Sequence, residues 1–373
     1  TTEGSDLQEI RVKYTKFTAA IGVAALALSA CGGGGDTTDD ATGSTKSPAE
    51  KIDYLACIVS DAGGWDDKSF NQSAKEGLDR AETDLGVQVK TAESKDSSDF
   101  ADNVAAMVTA DCDLTIGVGY MLTESVASAA AENEDKNFAL VDATFEDPTG
   151  NERALVFNTQ EAAYLAGYAA AAMTETGKVA TFGGVPIPSV TIFMDGYVDG
   201  VAKYNEDHDT NVEVIGWDKA KQSGQFTNDF DDQAKGTQVA QQLIQQGADI
   251  IMPVAGPVGL GAAAAAKADG STYIIGVDSD WYESAPDYKD IVITSVKKDI
   301  ANAVYDTIET GANGDWDGTN YVGTLENGGV GLAPFHDFED QLPDGLADEL
   351  DQLQQDIIDG KIVVESEAAF DVK

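Results

Sequence analysis

The chain has 373 residues, a length that favours two domains of about 150 residues each over one ordinary core. Its 66 acidic and 23 basic residues give a formal net charge of -43, which would repel nucleic acid and argues against such a partner. The acids are scattered through every segment, and this distribution favours a halophilic surface adapted to concentrated salt, which screens their mutual repulsion; a merely acidic protein is the alternative.

The first segment with a clear signature is residues 11–31, "RVKYTKFTAAIGVAALALSAC". Basic residues precede an apolar run that is too short to span a bilayer, which predicts a secretory signal peptide over residues 1–30. The run ends in "LSAC", which resembles a lipobox, so we expect Cys31 to be lipidated; an ordinary signal peptide or a short buried helix is the alternative. The glycine-rich, polar residues 31–50 predict a flexible tether.

Beyond the tether, short apolar runs alternate with stretches of helical periodicity. Buried strands are predicted at 52–59, 87–91, 114–118, 138–142, 153–158, 178–183, 212–217, 249–254 and 273–277. Helices are predicted at 69–84, 98–110, 121–133, 160–175, 190–206, 230–246 and 258–269. This alternation is typical of parallel sheets covered by helices, and so many strands favour two sheets.

The order of segments predicts two lobes with a division near Asn158 and three crossovers at a hinge. Lobe one is expected to comprise 51–157 plus 281–312, and lobe two 158–280 plus 313–373. The glycine-rich stretch at 314–336 predicts a pair of antiparallel strands, and 346–366 predicts a helix followed by a final strand.

Few residues suggest catalysis or metal binding. Cys57 and Cys112 lie in apolar segments, which favours two buried free thiols, with a disulfide as the alternative. His208 and His336 are each flanked by acids, so solvated surface histidines are expected and no metal site is predicted. No sequence pattern pairs a nucleophile with a base, and no phosphate-binding loop appears, so neither an enzyme nor a cofactor is predicted.

Ligands of open α/β sheets bind at the carboxyl ends of the strands, and the chemistry of this chain concentrates there. Each predicted lobe supplies a phenylalanine, carboxylates and an amide, an arrangement that could stack a flat heterocycle between two rings. Asp and Asn at such junctions often only cap helices, which is the alternative for any single member. The strand-end candidates are Asp61, the "DDKSFN" turn containing Phe70 and Asn71, Gly119, Tyr120, Asp142, Gly184, Phe226, Gly256, Asp278 and Lys298.

The stretch "SDAGGWDDKSFNQSAKEGL" resembles the opening motif of the basic membrane protein family. This family contains nucleoside-binding lipoproteins of ABC importers, including the purine nucleoside receptor. The similarity continues through "FNTQEAAYLAGYAAA", "GGVPIPSVTIFMDGYVDG" and "SGQFTNDFDDQAKGTQVAQQLIQQGADII", and it covers residues 52–335.

The resemblance implies an α/β, type I periplasmic-binding-protein fold: two doubly wound parallel-sheet lobes joined by a three-crossover hinge. It further implies a monomer that is anchored by lipid to the outer face of the cell membrane, binds a purine nucleoside and serves an ABC permease. A sensor for a membrane signalling partner and a nucleoside-processing enzyme are the alternatives.

The resemblance also implies roles for individual residues. Phe70 and Phe226 would sandwich the base, Asn71 and Asp142 would bond its edge, Asp278 and Lys298 would hold the ribose, and Asp61 would line the cleft. Gly256 is expected to line the same cleft, and Lys297 is an alternative to Lys298. Ser69 is expected to cap the helix that begins at Phe70, and the glycosylation sequon at Asn71 is expected to be coincidental.

Overall fold

A computed structural model describes residues 50–371 of the chain. The predicted signal peptide, the lipidated Cys31 and the tether up to residue 49 lie outside the described residues. The described part contains two six-stranded sheets with helices between most successive strands, and this arrangement confirms the predicted α/β class.

The first sheet is parallel throughout, with the order β13-β5-β4-β3-β1-β2. Its strands are β1 (Leu55–Ser60), β2 (Gln88–Ala92), β3 (Leu114–Val118), β4 (Asn137–Val141), β5 (Glu152–Phe157) and β13 (Tyr321–Gly323). The helices of this lobe are α1 (Phe70–Leu85), α2 (Phe100–Thr109), α3 (Thr123–Glu132) and α9 (Ile300–Ala312), and α9 packs against α1. The central strands are apolar and almost wholly buried because helices cover both faces.

The second sheet has the order β14-β12-β11-β10-β6-β7, and only β14 runs antiparallel to its neighbour. Its strands are β6 (Lys178–Gly183), β7 (Glu213–Ile215), β10 (Ile250–Val254), β11 (Tyr273–Asp278), β12 (Val292–Lys298) and β14 (Val330–Leu332), beside a small hairpin of β8 (Trp217–Asp218) and β9 (Ser223–Gly224). The remaining helices are α4 (Thr159–Met173), α5 (Pro188–His208), α6 (Gln233–Gln245), α7 (Pro257–Asp269), α8 (Trp281–Ser284) and α10 (Leu346–Ile358).

Local sequence signals set the ends of several helices. The first helical residue of α7 is Pro257, whose missing N–H is not needed there, and α7 ends at Gly270 in a left-handed conformation. The carboxylate of Asp232 caps α6 by accepting the N–H of Ala234. These signals explain why the predicted helix positions agree with the structure to within a few residues.

The chain crosses between the two sheets three times, at Asn158, at Asp299 and between β13 and β14. The crossovers lie side by side: the N–H of Asn158 donates to the carbonyl of Gly323 at 2.8 Å, and the N–H of Asp299 donates to the carbonyl of Gly329 at 2.9 Å. This is the predicted three-crossover connection of a type I periplasmic-binding fold.

β12 and β13 lie in different lobes from those predicted. The segment 281–312 was expected in lobe one, but β12 pairs with β11 in the second sheet, and only α9 packs on lobe one. β13 pairs with β5 in the first sheet although it falls in the segment assigned to lobe two. The predicted antiparallel pair is therefore wrong, because β13 and β14 complete different sheets. Residues 361–366, predicted as a final strand, form none.

Cys57 and Cys112 form a disulfide, with 6.1 Å between their Cα atoms. The prediction of two free thiols is therefore wrong. Cys57 lies in β1 and Cys112 lies two residues before β3, and β1 and β3 are neighbours in the first sheet. The pairing of these strands brings together two segments that are 55 residues apart in sequence.

Candidate functional site

A narrow cavity of about 60 Å³ lies between the carboxyl ends of strands from both sheets. Its lining includes Asp61 after β1, Asp142 after β4, and Asp278 and Lys298 at the ends of β11 and β12. Seven of the eight predicted ligand residues line it: Asp61, Phe70, Asn71, Asp142, Gly256, Asp278 and Lys298.

The turn that leads into α1 is organised by Asp67. Its carboxylate accepts the N–H groups of Ser69 at 2.9 Å, Asn71 at 2.7 Å and Gln72 at 3.0 Å. Asp67, rather than the predicted Ser69, therefore caps the helix. Burial raises the pKa of Asp67 to about 6, although the three N–H groups favour the charged form.

Asn71 and Asp61 form the polar wall of the cavity at this turn. The Asn71 amide group donates from Nδ2 to Asp61 Oδ1 and to the carbonyl of Ala62, both at 3.2 Å. The Oδ1 atom of Asn71 is buried and accepts no hydrogen bond from the described residues, so it is available to a donor on a ligand. Because only 2% of Asn71 is exposed, its sequon is not accessible for glycosylation.

Asp61 is held close to the backbone of a neighbouring strand end. A side chain at Gly119 would place its Cβ only 2.1 Å from Asp61 Oδ2, so this position, with φ of +116°, requires glycine. Burial raises the pKa of Asp61 well above its ordinary value, and the nearby carboxylate of Asp67 adds to the effect.

Lys298 forms ion pairs with one carboxylate from each lobe. Its Nζ lies 2.5 Å from Asp142 Oδ2 and 3.0 Å from Asp278 Oδ1, and only 2% of its side chain is exposed. Asp142 and Asp278 close corresponding strands, and both have left-handed backbones, with φ of +61° and +67°. Lys297 is half-buried and makes neither contact, so Lys298 is the lysine that faces the cavity.

This ion pair sets the charge of the buried groups. Burial alone would lower the pKa of Lys298, but attraction to Asp142 and Asp278 outweighs burial and leaves the pKa above its usual value. Burial raises the pKa of Asp142, and Lys298 opposes that shift only in part. Lys298 is the one basic side chain that lines the cavity in the described residues, against four carboxylates: Asp61, Asp67, Asp142 and Asp278. This excess of carboxylates disfavours a phosphorylated ligand.

Three phenylalanines line the cavity: Phe70, Phe193 and Phe230. The ammonium of Lys298 lies 4.7 Å from the ring centroid of Phe70 and 5.2 Å from that of Phe193. Sequence reasoning missed Phe193, which comes from α5, and Phe230, which lies three residues before α6, whereas Phe70 is the first residue of α1.

The structure contradicts the prediction that Phe226 is the second ring. The backbone of Phe226 pairs with Gly183, and its ring packs edge-on against Trp217 with centroids 5.9 Å apart. Phe226 does not line the cavity, whereas Phe230 does. The Phe230 ring occupies the space that a side chain at Gly184 would fill, which places it beside the end of β6.

The two histidines are more constrained than predicted. His336 is half-buried, stacks on Tyr282 and lies 2.8 Å from Asp280. His208 contacts Glu349 and the hydroxyl of Tyr168. Within residues 50–371, no group of three or more His, Cys, Asp or Glu side chains could hold a metal ion.

Two lobes that enclose aromatic and hydrogen-bonding side chains at their strand ends define a solute-binding protein. Comparison with known proteins agrees. The chain belongs to the Bmp family of PnrA-like ABC transporter substrate-binding proteins, whose family model matches residues 55–368. It is therefore a protein that binds a small solute and works with an ABC permease.

Individual relatives cover most of the chain. The ABC transporter nucleoside-binding protein BmpA of Lactococcus lactis is 33% identical over 93% of this chain and 97% of the relative. Basic membrane protein A of Borreliella burgdorferi is 34% identical over 82% of this chain and 86% of its own length. A solute-binding protein of an Aeropyrum pernix ABC transporter shares the fold, with a TM-score of 0.73 and 28% identity over 84% of this chain and 94% of that one. Among residues 50–371, no helix has the length and apolar character needed to cross a membrane.

Proposed function

We propose that this protein binds a nucleoside, with purines favoured, in the cleft between its lobes and delivers it to the permease. The observation that carries the proposal is that Phe70 and Phe230 line one cavity together with the free acceptor of Asn71. Two aromatic rings offer stacking surfaces for a base, and the amide offers hydrogen bonds to its edge. The printed name of the Lactococcus lactis relative describes nucleoside binding, which supports this ligand class.

Each side chain has a part in the proposal. Phe70 and Phe230 stack on the base, while Asn71 and Asp61 bond its edge. Asp278 accepts hydrogen bonds from the ribose hydroxyls. Asp142 shares Lys298 with Asp278, and we therefore place it with the ribose rather than with the base edge.

Ligand entry requires the lobes to separate. Pockets that enclose small ligands commonly measure about 300–1,000 Å³, whereas this cavity measures about 60 Å³. The adjacent crossovers at Asn158 and Asp299 supply the hinge for such a motion. We therefore propose that binding follows an opening and closing cycle and that the permease receives the closed form.

Substituting Phe70 by alanine tests the stacking. Loss of one base–aromatic contact is worth about 1–3 kcal/mol, so we expect about 5- to 150-fold weaker binding. Isothermal titration with adenosine, guanosine, inosine and uridine in high salt measures this effect, and Phe230→Ala should behave alike. Phe226→Leu is the matched control, because that ring lies outside the cavity. Absence of heat with all four nucleosides would refute the ligand class, and an unchanged affinity of Phe70→Ala would refute the stacking.

We further propose that the protein is exported and anchored by lipid at Cys31. The buried disulfide supports export, because such bonds persist in oxidising compartments. Replacing Cys31 by serine should move the protein from the membrane fraction to the soluble exported fraction, as followed by immunoblotting. Retention of the Cys31→Ser variant in membranes would contradict the lipid anchor.

A further inference from the structure

Two short segments, one from each lobe, are hydrogen bonded to each other beside the cavity. Lys68 and Ser69 precede α1 in lobe one, and residues 277–279 lie at the end of β11 in lobe two. The hydroxyl of Ser69 lies 2.9 Å from Asp278 Oδ2 and 3.0 Å from the carbonyl of Val277. The hydroxyl of Ser279 donates to the carbonyl of Lys68 at 2.9 Å.

Ser69 is available for this contact because Asp67 caps the helix in its place. A serine hydroxyl carries a single proton, and a carboxylate is a stronger acceptor than a carbonyl. We therefore assign the proton of Ser69 to the bond with Asp278. Only 1% of Ser69 is exposed, so water does not compete for that proton in the closed protein.

The two oxygens of Asp278 depend on different lobes. Oδ1 is held at 3.0 Å by Lys298, which belongs to the same sheet as Asp278, whereas Oδ2 is held by Ser69 from the opposite lobe. Of these two contacts of Asp278, separation of the lobes breaks only the hydrogen bond from Ser69. Asp278 also holds a left-handed backbone, with φ of +67°, a conformation that persists where neighbouring contacts fix it.

We propose that Ser69 is a positioning residue that orients the Asp278 carboxylate for the ligand when the lobes close. We also propose that Ser69 and Ser279 together form a latch that favours the closed lobes before any ligand binds. The orientation part rests on the proposed function, because it assigns Asp278 to the ribose. The latch part rests only on the contacts between the lobes.

The latch is tested on the ligand-free protein. Fluorophores attached through unnatural amino acids at the exposed residues Ala101 of α2 and Ala264 of α7 report the distance between the lobes. Ser279→Ala removes one neutral hydrogen bond and should shift the ratio of closed to open protein by about 2- to 10-fold. Ser69→Ala removes a bond to a charged group and should shift it by about 10- to 100-fold. An unchanged ratio in both variants would refute the latch.

The orientation of Asp278 is tested by titrating inosine and 2′,3′-dideoxyinosine, which lacks the 2′ and 3′ hydroxyls of the ribose. Ser69→Ala should weaken inosine binding by about 10-fold or more, but should weaken binding of the dideoxy analogue clearly less. Ser279→Ala, the matched control, loosens the latch without touching Asp278 and should affect both ligands equally.

Two results would count against the orientation of Asp278. An equal loss of affinity for both ligands in Ser69→Ala would show that Ser69 acts on closure alone. If the wild-type protein binds no nucleoside, both the proposed function and the ribose role of Asp278 are refuted. The latch is still tested in that case, because the ratio of closed to open protein is measured without ligand.

Discussion

Replacing Lys298 by methionine is expected to abolish ligand binding and to lower the free energy of unfolding by about 3–5 kcal/mol. Methionine retains much of the volume but leaves Asp142 and Asp278 buried without their cation. Burial already raises the pKa of Asp142, and loss of the ammonium raises it further. Since the folded variant then binds a proton more tightly than the unfolded chain, its deficit should be largest above that raised pKa. The deficit should shrink as the pH falls towards the ordinary value for aspartate.

Denaturant unfolding at several pH values measures this effect. Lys297→Met is the matched control, because Lys297 is half-buried and makes neither of these ion pairs. Combining Lys298→Met with Asp142→Asn removes one of the uncompensated carboxylates and should recover part of the lost stability. Equal losses in the two lysine variants, or a deficit that does not change with pH, would contradict the proposed importance of the ion pair.

Removal of the disulfide is the second change with a large expected effect. Replacing both Cys57 and Cys112 by alanine should lower the free energy of unfolding by about 2–4 kcal/mol. The bond closes a loop between residues 55 positions apart, so its loss gives the unfolded chain more conformational freedom. Both side chains are buried in the first lobe, and small apolar replacements limit the additional packing cost.

Comparison of unfolding curves with and without a reducing agent provides the control. The reductant should lower the stability of the wild-type protein towards that of the double variant, and it should leave the double variant unchanged. If the double variant were as stable as the oxidised protein, the bond would have no role in stability.

The long elements of the fold could be predicted from the sequence, whereas the short ones could not. Buried runs such as β3 and β10 are almost wholly apolar, and each directly follows an aspartate, so the pattern alone identifies them. β13 and β14 have three residues each, and their sheet is decided by tertiary pairing with β5 and β12. The local sequence therefore could not predict the lobe to which β13 or β14 belongs.

The candidate site shows the same division. Asp61, Asp142 and Asp278 could be predicted because parallel strands place their carboxyl ends at one edge of a sheet. The choice between Phe226 and Phe230 could not, because both rings occur in one loop. The pairing of Phe226 with Gly183 decides which ring reaches the cavity. Similarly, the disulfide depends on β1 being the neighbour of β3, which the spacing of the cysteines does not reveal.

The position of β13 and α9 has a consequence for any attempt to divide this molecule. A fragment that ends at Asn158 would lack both elements and would expose the outer edge of β5, a surface prone to self-association. Dissection at a single peptide bond therefore cannot yield two autonomous modules. A circularly permuted chain, or a pair of complementing fragments, would have to keep α9 and β13 together with the residues that precede Asn158.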